Sequence, residues 1–213
     1  MRPIRLVLVR HGQTDANVRR ELDSLPPGAP LNQLGLAQAA ALGGRLAERP
    51  VTAVHASHAI RAQQTAAPVA AAHGLAVEIV DGVQEVFVGA LEGRSDIDAR
   101  EQFDAVYTAW SRGDLDARLP GGESARDLRA RYLPAVEKIM AGATGDVVLV
   151  SHGAAIRLAA GALLGDTAET QYVPNTGLVV LTADGATETG WALECWDTAP
   201  PVVGDVTAGG TTG

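Results

Sequence analysis

Apolar runs of strand length alternate with longer segments of helical period along most of this chain, punctuated by glycine, proline and small polar caps. Ile4 to Val9 is one unbroken apolar run, the pattern of a strand covered by helices on both faces. From Val18 to Pro30 the periodicity is lost, and Arg19, Arg20, Pro26, Pro27 and Gly28 predict a surface loop. Asn32 is placed to cap a helix from Gln33 to about Glu48, with Leu34, Leu42 and Leu46 inward and Pro50 blocking extension. Val51 to Ala56 reads as a second strand. Ser57 is the expected cap of a helix over roughly Ala59 to Ala72, bent near Pro68 and closed by Gly74.

Leu75 to Val80 supplies a third strand, followed by a loop from Val83 to Arg94 that carries Glu85. Ile97 to Trp110 has helical period, with Phe103, Tyr107 and Trp110 on one face; that stripe reads as packing first, and otherwise as pocket wall or subunit contact. Gly113 to Gly122 is expected as loop. Glu123 or Ser124 opens a helix to about Met140, with Leu128, Tyr132, Val136 and Ile139 inward and Arg126, Arg129 and Arg131 as a solvated face. Val147 to Val150 is a further strand, leading into a buried Ala/Leu-rich helix over Ala154 to Leu164. Gly177 to Leu181 and Trp191 to Trp196 predict antiparallel strands joined by a turn at Asp184-Gly185. The alternation implies an α/β fold, a three-layer α/β/α sandwich around a mostly parallel sheet.

Length and composition narrow this further. The 213 residues suit one domain over 1–198, with 199–213 expected as a flexible Gly/Thr/Pro-rich tail. Aromatic residues make up only 4%, so Ala, Val and Leu must fill the core. A net charge of -8 argues against a nucleic-acid or anionic-membrane surface, though a few converging cations can still set a local field. The lone Cys195 excludes an intrachain disulfide framework and fits a reducing cytoplasm. The apolar run at the amino terminus is far below membrane-spanning length, so neither a signal peptide nor an anchor is expected.

The candidate chemistry sits where strands end. Arg10-His11-Gly12 and Ser151-His152-Gly153 close two strands in the same way, and parallel strands present their carboxyl ends to one side of the sheet. Each glycine permits close backbone approach. A third group, Ser57 to Ala66, opens a helix just past another strand, where free amides and Arg61 favour an anion. Thr65 lies one turn on, and His58 is either pocket lining or surface. Two histidines beside two arginines suit an oxyanion better than a metal ion, which the guanidiniums would repel. A neutral imidazole can then serve as a nucleophile toward phosphorus, and Glu85 is the candidate to protonate the leaving oxygen.

The blocks Leu8-Val9-Arg10-His11-Gly12-Gln13-Thr14 with Asn17, Leu34-Gly35 with Gln38-Ala39, and Ser57 with Arg61-Ala62 and Gln64-Thr65-Ala66 resemble the histidine phosphatase superfamily. So do Glu85 with Gly89 and Leu91-Glu92-Gly93, Gly121-Gly122-Glu123-Ser124, Val150-Ser151-His152-Gly153 and Asn175-Thr176-Gly177. The resemblance implies a phosphoglycerate mutase-like fold, with His11 as the phosphorylated nucleophile. It implies that Arg10, Arg61 and His152 hold the phosphoryl group with help from Asn17, while Gly12, Ser57 and Ser151 support them. Glu85 would act as acid and then as base. No metal or organic cofactor is implied. The mutases of this fold typically carry Glu-Arg-His-Tyr-Gly at the acid, whereas this chain has Glu85-Val86-Phe87-Val88-Gly89 and a shorter segment from Gly93 to Gly121. Both departures favour a hydrolase of a small phosphorylated metabolite over a mutase. A phosphoryl-binding module without turnover is the remaining alternative. Arg19 and Arg20 could reach a second anionic group, though solvation is the simpler reading. A homodimer could use the Phe103–Trp110 face or the edge near Trp191 and Trp196.

Overall fold

The computed structural model describes residues 3–165 and 168–199. Its elements are β1 (Arg5–Arg10), α1 (Asp15–Arg19), α2 (Gln33–Leu46), β2 (Val51–Ala56), α3 (Ile60–Ala72), β3 (Val77–Ile79), α4 (Ile97–Ser111), α5 (Ala125–Met140), β4 (Asp146–Ser151), α6 (Gly153–Leu164), β5 (Leu178–Ala183) and β6 (Trp191–Trp196). The strands form one sheet in the order β3-β2-β4-β1-β5-β6. β1, β2, β3 and β4 run parallel to one another, and β5 is antiparallel to both β1 and β6. This is the mixed, mostly parallel sheet expected for an α/β sandwich.

The period-2 rule of a strand divides β1 between two cores. Leu6 and Leu8 join Leu149, Val179 and Leu181 beneath α5 and α6, where Leu128, Tyr132, Ile156 and Ala159 meet them. Val7 and Val9 face the other way, against Leu42 and Leu46 of α2 and Ala62, Ala66 and Val69 of α3. Alanine and glycine bring α2 and α3 close: a Cβ on Gly43 would come within 2.9 Å of the Pro68 carbonyl oxygen. A smaller cluster of Val88, Leu91, Ala99 and Leu119 packs the Glu85 loop against α4.

Several expectations need correction. The predicted loop after the first motif begins as helix α1, because Thr14 and Asn17 form a reciprocal capping box. Leu34 is exposed; the inward face of α2 is Gly35, Gln38, Ala39, Leu42, Gly43 and Leu46. Asn32 does cap α2, accepting from Gly35 N–H. Ser57 does not cap α3; Ala59 holds that position without a side-chain bond. Of the three arginines given to a solvated face of α5, Arg131 is instead tied to the Glu85 loop. Trp110 is buried and donates to Ala117 O, so the aromatic stripe of α4 is chiefly packing. Trp191 and Trp196 rest against the α5/α6 core. The expected tail falls outside the described residues from position 200 onward.

Candidate active site

The carboxyl ends of β1, β2 and β4 deliver three groups to one point. β1 ends in Arg10 and leads to His11, β2 leads to Ser57 and Arg61, and β4 ends in Ser151 beside His152. His11, Arg61 and His152 are 4%, 2% and 1% exposed, so the centre is almost dry. The His11 and His152 rings lie 5.2 Å apart, edge to face. Arg61 bridges them: its Nε–H donates to His11 Nε2 at 3.2 Å, and its Nη2 lies 3.4 Å from His152 Nδ1.

The tautomer of His11 follows from its partner. A carbonyl can only accept, so the 2.8 Å contact between Nδ1 and Gly12 O places the proton on Nδ1. Nε2 is left with a lone pair facing Arg61. Burial, then the charges of Arg61 and Arg10, hold the His11 imidazole well below its usual titration range. Burial and Arg61 do the same to His152. Both rings are therefore neutral at neutral pH. Ser57 Oγ is 2.8 Å from His152 Nε2 and fixes that ring from behind.

The other candidates fall around this centre. Arg10 donates to Tyr172 Oη at 2.7 Å and Val173 O at 2.9 Å. Asn17 Oδ1 accepts from Thr14 N–H and from Asn175 Nδ2, leaving its amino group toward the cavity. Gly12 N–H is committed to Thr65 Oγ1, and a Cβ on Gly12 would meet Gly35 O at 2.7 Å, so α2 sets the need for glycine there. Glu85 Oε1 accepts from Val86 and Ala155 N–H at 2.9 and 2.8 Å, and Oε2 from Ala154 N–H at 3.2 Å. The first turn of α6 thus serves Glu85. The opening amides of α3, expected to hold an anion, are used otherwise: Ile60 N–H reaches Pro27 O and Ala59 N–H reaches Ser57 Oγ. His58 turns to Asp81 at 2.6 Å, away from the cavity. Arg19 pairs with Glu21.

Four contributors were given no role in the site from the sequence. Asp23 holds Arg61 through both its carboxylate, at 3.0 Å, and its carbonyl, at 2.7 Å. Tyr172 covers Arg10, and Asn175 Nδ2 donates to His11 O. Arg131 grips the carbonyls of Gly82, Gln84 and Glu85 and pairs with Glu123. Among the described residues no cluster of His, Cys, Asp and Glu is arranged to hold a metal ion.

These groups open into a cavity of about 320 Å³ bounded by Phe103, Tyr107, Arg157 and Tyr172. A wider groove of about 950 Å³ between β2, β3 and α5 contains neither His11 nor His152 and is not where the chemistry converges. The histidine phosphatase superfamily (branch 1) matches residues 6–198. This chain belongs to that superfamily. A glucosyl-3-phosphoglycerate phosphatase from Mycolicibacterium vanbaalenii is 31% identical over 230 residues, covering 97% of this chain and 100% of that protein. The solved structure of a mycobacterial glucosyl-3-phosphoglycerate phosphatase is 29% identical and superposes with a TM-score of 0.77, over 93% of this chain and 100% of that one. PE-PGRS family protein PE_PGRS11 from Mycobacterium tuberculosis is 32% identical over 212 residues, 90% of this chain but 36% of that protein. The chain spans well under half the length of the first curated relatives it matches, 36% to 43%. Among the described residues no helix is long and apolar enough to cross a membrane.

Proposed function

We propose that this chain hydrolyses phosphomonoesters of a small metabolite, in the cytoplasm, through a phosphohistidine formed on His11. The observation that carries this reading is a buried, neutral imidazole with its Nε2 lone pair facing the Arg61 guanidinium, in the field of the Arg10 charge as well. Nε2 attacks phosphorus in line while Arg10, Arg61, His152 and Asn17 receive the three equatorial oxygens. Ser57 Oγ, 2.8 Å from His152 Nε2, sets that ring so that its Nδ1 edge faces the phosphoryl group. The P–O bond to the substrate breaks as Glu85 gives its proton to the departing alkoxide. Water then attacks the phosphohistidine, Glu85 takes its proton, and inorganic phosphate leaves with the P–N bond broken. Names of relatives support the hydrolase over the mutase, and glucosyl-3-phosphoglycerate joins the substrates to be tried.

The test is a metabolite panel followed for both inorganic phosphate and isomerised product, with rapid quenching to trap labelled phosphate on protein. The reading expects label on His11, none in H11A, and phosphate release without isomer. Isomerisation without phosphate release identifies a mutase instead, and binding without turnover a recognition module. E85Q should lose about 10²- to 10⁴-fold in kcat with alkyl phosphates and far less with p-nitrophenyl phosphate, whose leaving group needs no proton.

A further inference from the structure

The Arg61 guanidinium turns its Nε edge to His11 and is held from the other side by Asp23, whose carbonyl accepts from Nη2 at 2.7 Å and whose carboxylate accepts from Nη1 at 3.0 Å. Asp23 lies between α1 and α2 in a loop with no ladder of its own to fix its backbone. The Asp23 carbonyl and the Ser24 N–H are the two ends of one planar trans peptide, so they point in opposite directions. The far end donates to Glu92 Oε1 at 2.8 Å. Leu25 N–H donates to the same oxygen at 3.1 Å, and the buried Ser24 hydroxyl donates to Oε2. A carboxylate carries several lone pairs and no donor, which suits three such groups. Glu92 follows a single 3₁₀ turn, Gly89–Leu91, and backbone bonds between Leu22 and both Gly93 and Arg94 keep the two loops side by side.

We propose that Glu92 is a positioning residue for the phosphoryl centre: it locks the Asp23–Ser24 peptide so that the Asp23 carbonyl holds Arg61 against His11. The proposal rests on the reading of His11 and Arg61 given above. Glu92 itself stands outside the cavity of about 320 Å³, whereas Asp23, Ser24 and Arg61 line it. A hydrogen bond at one end of a peptide polarises the bond at the other, so the pull on Ser24 N–H strengthens the carbonyl's hold on the guanidinium. Without the carboxylate that peptide is free to turn, and a turned peptide offers N–H to a cation. The charge of Glu92 acts in the opposite sense. It is felt at Arg61, and by its field alone a carboxylate there disfavours an incoming anion. Removing Glu92 should therefore tighten phosphate binding if only its charge matters, and weaken it if it acts through the peptide.

Calorimetric titration with inorganic phosphate, beside kcat/KM for p-nitrophenyl phosphate, reads that sign. E92A should weaken phosphate binding by about tenfold or more and lower kcat/KM by a similar factor. E92Q keeps an oxygen for the Ser24 and Leu25 N–H groups, and the Ser24 hydroxyl can turn to accept, so phosphate binding should stay within about threefold of wild type. In an R61A background, adding E92A should change kcat/KM by less than about threefold, because the group it positions is gone. Unchanged or tighter phosphate binding in E92A overturns the proposal. So does E92Q no better than E92A, or the full loss persisting in R61A, which a general loosening of the fold would give. If E92A does not fold, E92D, whose oxygens sit one methylene further back, takes its place in each comparison. Phosphate affinities that follow this order without turnover of p-nitrophenyl phosphate sink the hydrolase reading and leave Glu92 its role; turnover indifferent to Glu92 does the reverse. A wild-type chain that neither binds phosphate nor turns over the ester sinks both.

Discussion

At His11 and His152 the fold gives up proton affinity and keeps both rings uncharged. Burial and the Arg61 charge hold both imidazoles neutral, so neither binds a proton in the native state where the unfolded chain would. The ordinary value near 6.5 applies once the chain unfolds. Between the depressed native values and that value the unfolded state binds more protons, so stability rises with pH across the window and falls as acid is added. Each ring should cost about 1.4 kcal/mol per pH unit below 6.5. Urea unfolding at pH 7.5 and 5.5 reads this directly, and H152Q should remove its own share of the difference. An identical pH dependence in H152Q would show that His152 is not held neutral by the fold. Asp23 belongs to the same scale: its pairing with Arg61 links positions 38 residues apart, and no local pattern in an aperiodic loop announces it.

Helix α5 shows what period can and cannot tell. Inward Leu128, Tyr132 and Val136 were legible from spacing, whereas the start was left between Glu123 and Ser124, and Ser124 is the cap. Arg131 was read with Arg126 and Arg129 as solvated, yet it lies three residues from Leu128 and four before Ala135, on the edge of the buried face. Helical arithmetic flags that position; charge alone misled. From there its guanidinium binds three carbonyls of the loop from Gly82 to Glu85. R131M should therefore free the Glu85 carboxylate from its place at α6 and lower kcat about 10- to 100-fold, with less change in KM. A steady-state comparison using one alkyl phosphate checks it; a loss confined to KM would mean that the loop shapes binding instead. Short α1 escaped notice for the opposite reason. It has no apolar period to display, only the Thr14–Asn17 box, and Asn17 was read for phosphate alone. The residues at strand ends were legible because a parallel sheet makes their convergence a matter of topology.

The whole molecule is two cores divided by one sheet, and this has a measurable consequence. Leu42 belongs to the α2/α3 side and Ile156 to the α5/α6 side, and the two side chains share no cluster. Cutting either to alanine leaves a cavity in a close-packed interior and should cost about 2–5 kcal/mol. Because β1 and β4 contribute residues alternately to both sides, unfolding one side removes the wall of the other, so each variant should still unfold in a single transition. The cavities themselves, however, lie on opposite faces with the sheet between them. Their costs should add in L42A/I156A to within about 0.5 kcal/mol, as separated sites do. Urea titrations of the two single variants and the double variant, followed by circular dichroism and tryptophan fluorescence, supply the comparison. A double-variant cost far from the sum would mean that the sheet relays strain between the layers. Transitions that separate between the two probes would mean that the layers are not one cooperative unit. Either result would bear on the site as well, since His11 stands at the end of the strand both cores share.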